Sequence, residues 1–174
     1  GWITGPSNFL RIYTPFSTSE VGITQRHQGV FDPSKYFLHV DATGDYARGI
    51  QASVDNLVID GLQILVENNG FSFVSGVFVY DNFANNNYRH EYKNNIIKGL
   101  LSGVNANGMN VGTPSYPNAE YRISNTVISD FPSVTTGVSS CFYTSASKAY
   151  VYNNTAVNCG SGFRGSITTV LKNN

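Results

Sequence analysis

The 174-residue chain is predicted to be all-β, a right-handed parallel β-helix of about five coils carrying an Asn ladder. Three observations point there. A short Asn-bearing turn segment recurs along the chain, and a glycine-led apolar run recurs between those segments. No window keeps apolar residues at helical spacing for three turns, because Gly, Asn and β-branched residues interrupt every candidate.

The turn segments are Val58-Ile-Asp-Gly-Leu-Gln-Ile64, Lys93-Asn-Asn-Ile-Ile-Lys-Gly99, Ile123-Ser-Asn-Thr-Val-Ile-Ser129 and Tyr152-Asn-Asn-Thr-Ala-Val-Asn158. Each has an apolar or tyrosine-containing lead-in, a small polar turn and an apolar pair. Aligning them stacks Asp60, Asn95, Asn125 and Asn154, and the C-terminal Leu171-Lys-Asn-Asn174 adds Asn174 to the column. Between them, Gly49, Gly76, Gly108, Gly137 and Gly162 each open a run of β-prone residues, at intervals of 25 to 32 residues. Runs rich in Val, Ile, Tyr, Phe and Thr, bounded by Gly, Asn and Pro, read as strands. An antiparallel sandwich would also give short strands, but it has no use for one Asn at the same place in every repeat. A solenoid does, because Asn tolerates the left-handed turn and its amide can bond the neighbouring coils. A single domain spanning 1–174 follows, with N-terminal coils and a long loop at 16–35 within 1–48, and regular coils over 49–174.

These segments, together with the opening Trp2-Ile-Thr, Phe9-Leu-Arg-Ile-Tyr-Thr-Pro15 and the loop from Arg26-His-Gln-Gly29 to Lys35-Tyr36, resemble those of right-handed parallel β-helix repeat proteins. The chain is similar in architecture to pectate lyases and phage tailspikes. The resemblance covers nearly the whole chain and implies the fold. It leaves function open, since this architecture hosts lyases, hydrolases, epimerases, adhesins and fibres. The chain starts without a capping pattern and stops inside a ladder copy. A fragment of a longer solenoid is therefore expected, or a subunit whose ends a neighbour covers.

Apolar residues make up 41% of the chain, which suits a packed core, while only 13% is charged, about half the usual share. Uncharged polar side chains and eleven tyrosines supply the remaining polarity, and that balance points to an extracellular, cell-surface or virion protein. Formal net charge is zero and no basic stripe is visible, which argues against nucleic acid as partner. No apolar run reaches the ~18 residues of a membrane span. Cys141 and Cys159 allow one disulfide, or are two small buried side chains. Because Cys159 falls beside a ladder position, the second reading is preferred.

The best chemical cluster is Arg89-His90-Glu91 with Lys93. One coil on, it aligns with Glu120, Tyr121 and Arg122, and then with Tyr150 and Tyr152. Stacked about 4.8 Å apart, these side chains would form one patch. Arg89, His90, Glu91, Lys93 and Arg122 are the candidate catalytic residues. Tyr121, Tyr150 and Tyr152 are the candidates for stacking on sugar rings, with arginine meeting carboxylates. A second cluster joins Arg26, His27 and Asp32 to His39, Asp41 and Asp45. No metal site is expected. Calcium on the Asn-rich loop at Asp81 and Asn82 is the one cofactor considered, because oxygen ligands suit it.

Three readings remain. The chain is a structural or glycan-binding segment; it belongs to a polysaccharide lyase or glycoside hydrolase acting on an anionic polysaccharide; or it is a fibre subunit associating end to end or as a trimer.

Overall fold

The structure, a computed structural model, describes residues 3–79, 88–101, 105–112, 118–133, 138–146, 148–165 and 169–174. It is a parallel β-helix. The first coil contains β1 (Leu10–Tyr13), β2 (Leu38–Ala42) and β3 (Arg48–Ala52). The second contains β4 (Asn56–Asp60), β5 (Gln63–Asn68) and β6 (Val74–Val79). The third contains β7 (Arg89–Lys93), β8 (Ile96–Leu101) and β9 (Ala106–Val111). The fourth contains β10 (Glu120–Ser124), β11 (Val127–Phe131) and β12 (Ser140–Thr144). The fifth contains β13 (Lys148–Tyr152), β14 (Thr155–Cys159) and β15 (Ser161–Gly165), and β16 (Thr169–Lys172) follows it.

Each coil sends one strand to each of three parallel sheets. The first sheet runs β1-β4-β7-β10-β13-β16, the second β2-β5-β8-β11-β14 and the third β3-β6-β9-β12-β15. Inward side chains alternate with outward ones. Leu57, Ile59, Ile64, Val66, Val77, Ile97, Met109, Ile123 and Ile128 fill the interior with no exposure to solvent. Burying each such side chain stabilises the fold by about 1.5–3 kcal/mol.

The turn from the first sheet to the second uses two residues with different tasks. Gly61, Asn94, Asn125, Asn153 and Asn173 take positive φ, between 51° and 75°. Asn enters this region more readily than most side-chain-bearing residues. The next residue, Leu62, Asn95, Thr126, Asn154 or Asn174, forms the inner ladder. Asn95 Oδ1 accepts the Leu62 N–H at 3.0 Å and Asn95 Nδ2 donates to the Ile59 carbonyl at 3.2 Å. Asn154 repeats the pattern on Thr126 and Ile123, and Asn174 on Asn154 and Val151. Thr126 makes half of this pattern: its hydroxyl accepts the Asn95 N–H of the preceding coil but donates to Ser124 of its own coil instead of to a carbonyl one coil back.

The expected column is therefore right at Asn95, Asn154 and Asn174 and is corrected at two rungs. Asn125 stands one residue early, exposed, with its amide donating to Asn94 Oδ1 at 3.3 Å. Asp60 stands two residues early, at a strand end in register with Lys93.

A column of small residues lines the entry to the third sheet. Register pairs Ile50, Val77, Met109, Phe142 and Phe163 in succession, so the residues before them are Gly49, Gly76, Gly108, Cys141 and Gly162. The fourth rung is Cys141, and Gly137, expected there, lies outside the described residues. Gly76 shows why the column is small. A Cβ there would lie 2.7 Å from the Gly108 carbonyl and 2.8 Å from Ile97 Cγ2 of the second sheet.

Cys141 bears a side chain in this column by bonding it to Cys159, with Cα atoms 5.7 Å apart. The reading of two separate buried cysteines is thus overturned. In the chain-entropy account, closing an 18-residue span stabilises by about 3 kcal/mol.

Before β2, the chain crosses the first turn as a strap. Arg26 donates to the Thr14 carbonyl and to Asp60, both at 2.6 Å. His27 Nε2 donates to the Asn94 carbonyl at 2.7 Å, while Gln63 exchanges hydrogen bonds with the Asp32 backbone.

Candidate functional site

The outward face of the first sheet collects most of the predicted site. In β7 the alternation is strict. Arg89, Glu91 and Lys93 point out, while His90 and Tyr92 have no solvent exposure. Register carries the pattern on, opposing Glu91 to Arg122 and then Tyr150, and Lys93 to Ser124 and then Tyr152. Arg89 pairs with Glu91, and Arg122 with Glu120. Lys93 lies 3.6 Å from Glu91, and Arg89 Nε lies 3.9 Å from Glu120. The Tyr150 and Tyr152 rings lie side by side at 6.2 Å and 30°, with the Arg122 guanidinium 5.9 Å from the Tyr150 centroid.

Two expected members of the patch are core residues instead. His90 Nε2 donates to the Val54 carbonyl at 2.7 Å, and Nδ1 shares a 2.9 Å hydrogen bond with the Tyr92 hydroxyl. Tyr121 is fully buried, edge-on to His90, with its hydroxyl 2.8 Å from that of Tyr88. The signal that places both inside is the period-two pattern itself, Arg-His-Glu-Tyr-Lys followed by Glu-Tyr-Arg-Ile-Ser.

Along this face the outward positions carry Arg11, Arg89, Lys93, Arg122, Lys148 and Lys172 against Asp60, Glu91 and Glu120. A chain of zero net charge thus concentrates six of its eleven basic side chains on one sheet face. Three adjoining hollows of about 200, 260 and 310 Å³ lie along it, each with Arg89 in its wall. Glu91 and Arg122 each line two of them.

Asp60 is buried at the edge of this face, held by Arg11 at 3.0 Å, Arg26 at 2.6 Å and the Asn94 amide at 2.9 Å. Burial alone would raise its pKa. The hydrogen bonds from Asn94, Arg26 and Arg11 outweigh that and hold the carboxyl below its usual value. Its work is to clamp the strap.

The second predicted cluster is dispersed. Asp32 accepts the Ser34 N–H and hydroxyl, which lower its pKa. Asp45 accepts the Ser72 N–H at 2.7 Å. His39 lies 3.1 Å from Glu67, and Asp41 shares its outward face. Among the described residues no group of three or more His, Cys, Asp or Glu could hold a metal ion. Asp81 and Asn82, considered for calcium, lie outside the described residues.

Sequence reasoning missed a second surface at the entry to the third sheet. Tyr46 and Phe73 stack there at 5.0 Å and 9°, exposed at 58% and 50%. Beside them a hollow of about 290 Å³ is lined by Phe73, Asn105, Asn107, Asn110, Val138, Tyr143 and Arg164. The signal was available, since Tyr46, Phe73, Asn105 and Val138 each stand three residues before a rung of the small column.

Compared with protein-family models, curated proteins and solved structures, the chain matches none of them. No helix among the described residues is long and apolar enough to cross a membrane.

Proposed function

We propose that the chain is a segment of an extracellular or virion-surface β-helix, akin to pectate-lyase-like and tailspike-like proteins, that binds an anionic glycan along its first sheet. One observation carries this reading: Arg89, Lys93 and Arg122 line three adjoining hollows on one sheet face, with Tyr152 in one wall and Tyr150 stacked beside it. Guanidinium groups bind carboxylates in a fork, tyrosine faces take sugar rings, and stacked coils space such groups at regular intervals. The Cys141–Cys159 disulfide supports an oxidising location, since such bonds persist outside the cytosol.

Binding is favoured over cleavage on the same geometry. A lyase or hydrolase needs a carboxylate or histidine in reach of substrate as base or acid. On this face His90 is beneath the sheet, Glu91 and Glu120 are tied to arginines, and Asp60 is clamped by two more.

Titration calorimetry with polygalacturonate, alginate and heparin oligosaccharides tests the proposal. At least one is expected to bind, more weakly at high salt because exposed charges are screened beyond about 10 Å at 0.1 M. Arg122→Ala is expected to weaken that binding by about tenfold, the loss of one charge-assisted contact. No binding by any of the three at low salt would sink it, and appearance of cleaved products would replace it with the lyase or hydrolase reading.

A further inference from the structure

The left-handed positions of this solenoid carry an internal comparison. Among the described residues nine non-glycine residues have positive φ: six are Asn and one is Asp. The other two are Tyr46 at 65° and Phe73 at 61°, bulky side chains that strain this conformation. Both belong to the column in which the next coil places Asn105, at 54°. The turn therefore accepts the residue that suits it, yet two coils carry aromatic rings instead. Those rings are not core: half or more of each is open to solvent. An outlier of this kind points to use rather than to folding.

The surroundings name the use. Tyr46 stacks parallel on Phe73, with the Arg48 guanidinium 6.0 Å from the Tyr46 centroid, so the two rings are held as a flat pair. Phe73 then forms one wall of the 290 Å³ hollow, and Tyr143, with Arg164 5.1 Å from its ring, forms another. The described lining includes no carboxylate. Asn107 and Asn110 offer amides that can both donate and accept, as paired ring hydroxyls require, and Asn105, whose Oδ1 accepts the Val138 N–H at 2.9 Å, offers its amide N–H. Its size is at the small end of ligand sites, which begin at about 300 Å³. An aliphatic protein segment would leave those amides without partners. A phosphate or carboxylate would find only one arginine.

We propose that this hollow binds one uncharged pyranose residue of a glycan, stacked against Phe73 and hydrogen-bonded by the Asn105, Asn107 and Asn110 amides. The site is separate from the basic face of the first sheet, and the two stand or fall independently.

The test is titration of the whole chain with four neutral hexasaccharides: cellohexaose, xylohexaose, mannohexaose and maltohexaose. At least one is expected to bind. Phe73→Asn, which supplies the residue the turn prefers, is expected to weaken binding at least tenfold while leaving Tm unchanged or a few degrees higher. Phe73→Tyr keeps the ring and is expected to bind like the native chain. Asn110→Ala, on the strand beyond, is expected to weaken binding without unfolding. Arg122→Ala, on the other face, is expected to leave it unaltered. Binding of none of the four sugars overturns the proposal, as does native-like binding by both Phe73→Asn and Asn110→Ala. Loss of neutral-sugar binding in Arg122→Ala would move the sugar to the first sheet and equally overturn it.

Discussion

The same turn is held in two different ways along the solenoid. In the third to fifth coils it carries Asn94-Asn95, Asn125-Thr126 and Asn153-Asn154. There the inner residues Asn95 and Asn154 reach back to an N–H and a carbonyl of the preceding coil. In the second coil the corresponding pair is Gly61-Leu62, and Leu62 has no amide to reach back with. Its place is taken from outside, where Arg26 of the strap takes the Thr14 carbonyl and, with Arg11, grips Asp60. Even the glycine fits this arrangement, because a Cβ on Gly61 would strike the Arg26 guanidinium. Repeating coils can stabilise one another through identical rungs. Where the repeat breaks, a non-repeating segment and an ionic clamp perform the task.

Breaking each device should separate them. The largest effect is expected from Asp60→Ala, which leaves two partly buried arginines without their carboxylate. Chemical denaturation should show a loss of about 3 kcal/mol or more. A loss below about 1 kcal/mol would show that the strap is dispensable. Next comes Asn95→Leu, which orphans the Leu62 N–H and the Ile59 carbonyl in the interior and should cost about 2–3 kcal/mol. Its control is Asn125→Leu, an exposed site that loses the left-handed preference of Asn and one solvent-exposed hydrogen bond to Asn94, about 1–2 kcal/mol. Equal losses at 95 and 125 would break the assignment of inner and outer rungs.

The smallest effect is a pH slope confined to the strap. His27 is held below its ordinary 6.5, first by burial, with the Arg26 and Lys35 charges adding to it and the Asn94 carbonyl opposing. The unfolded chain therefore takes up this proton at higher pH than the folded one. Stability is full above pH 6.5 and declines as pH falls through the depressed value. Asp60 acts in the same sense lower down, its contribution complete above 3.8 and lost as pH drops through its own lowered value. Thermal melts across that range should fall more shallowly for His27→Gln than for the native chain, and parallel curves would remove His27 from the strap's energetics.

The architecture was legible in the sequence because period and β-propensity repeat with every coil. The errors came where two neighbouring positions carry the same residue type for different reasons. Asn94-Asn95 and Asn153-Asn154 each contain one outer and one inner Asn. Aligning on Asn alone pulled Asn125 inward, whereas Thr126 holds that rung. Asp60 looked like an Asn because it precedes a turn. The small column failed for the converse reason: Cys141 fills a glycine slot, which identity-based alignment passes over. At the site, register brings Arg89, Glu91, Lys93, Arg122, Tyr150 and Tyr152 to one outer face, as the coil-to-coil alignment of the sequence groups them. His90 and Tyr121 were assigned by chemistry rather than by alternation.

A stack of coils under tension would be expected to unwind from an end, one rung after another, each rung releasing its full contour. The bond between Cys141 and Cys159 ties the fourth coil to the fifth across 18 residues. Pulled from its two ends, the oxidised chain would fall short of the reduced one by roughly 60 Å, at about 3.3–3.6 Å for each residue held in the loop. A chain anchored through this region would keep that length in reserve until the bond is reduced.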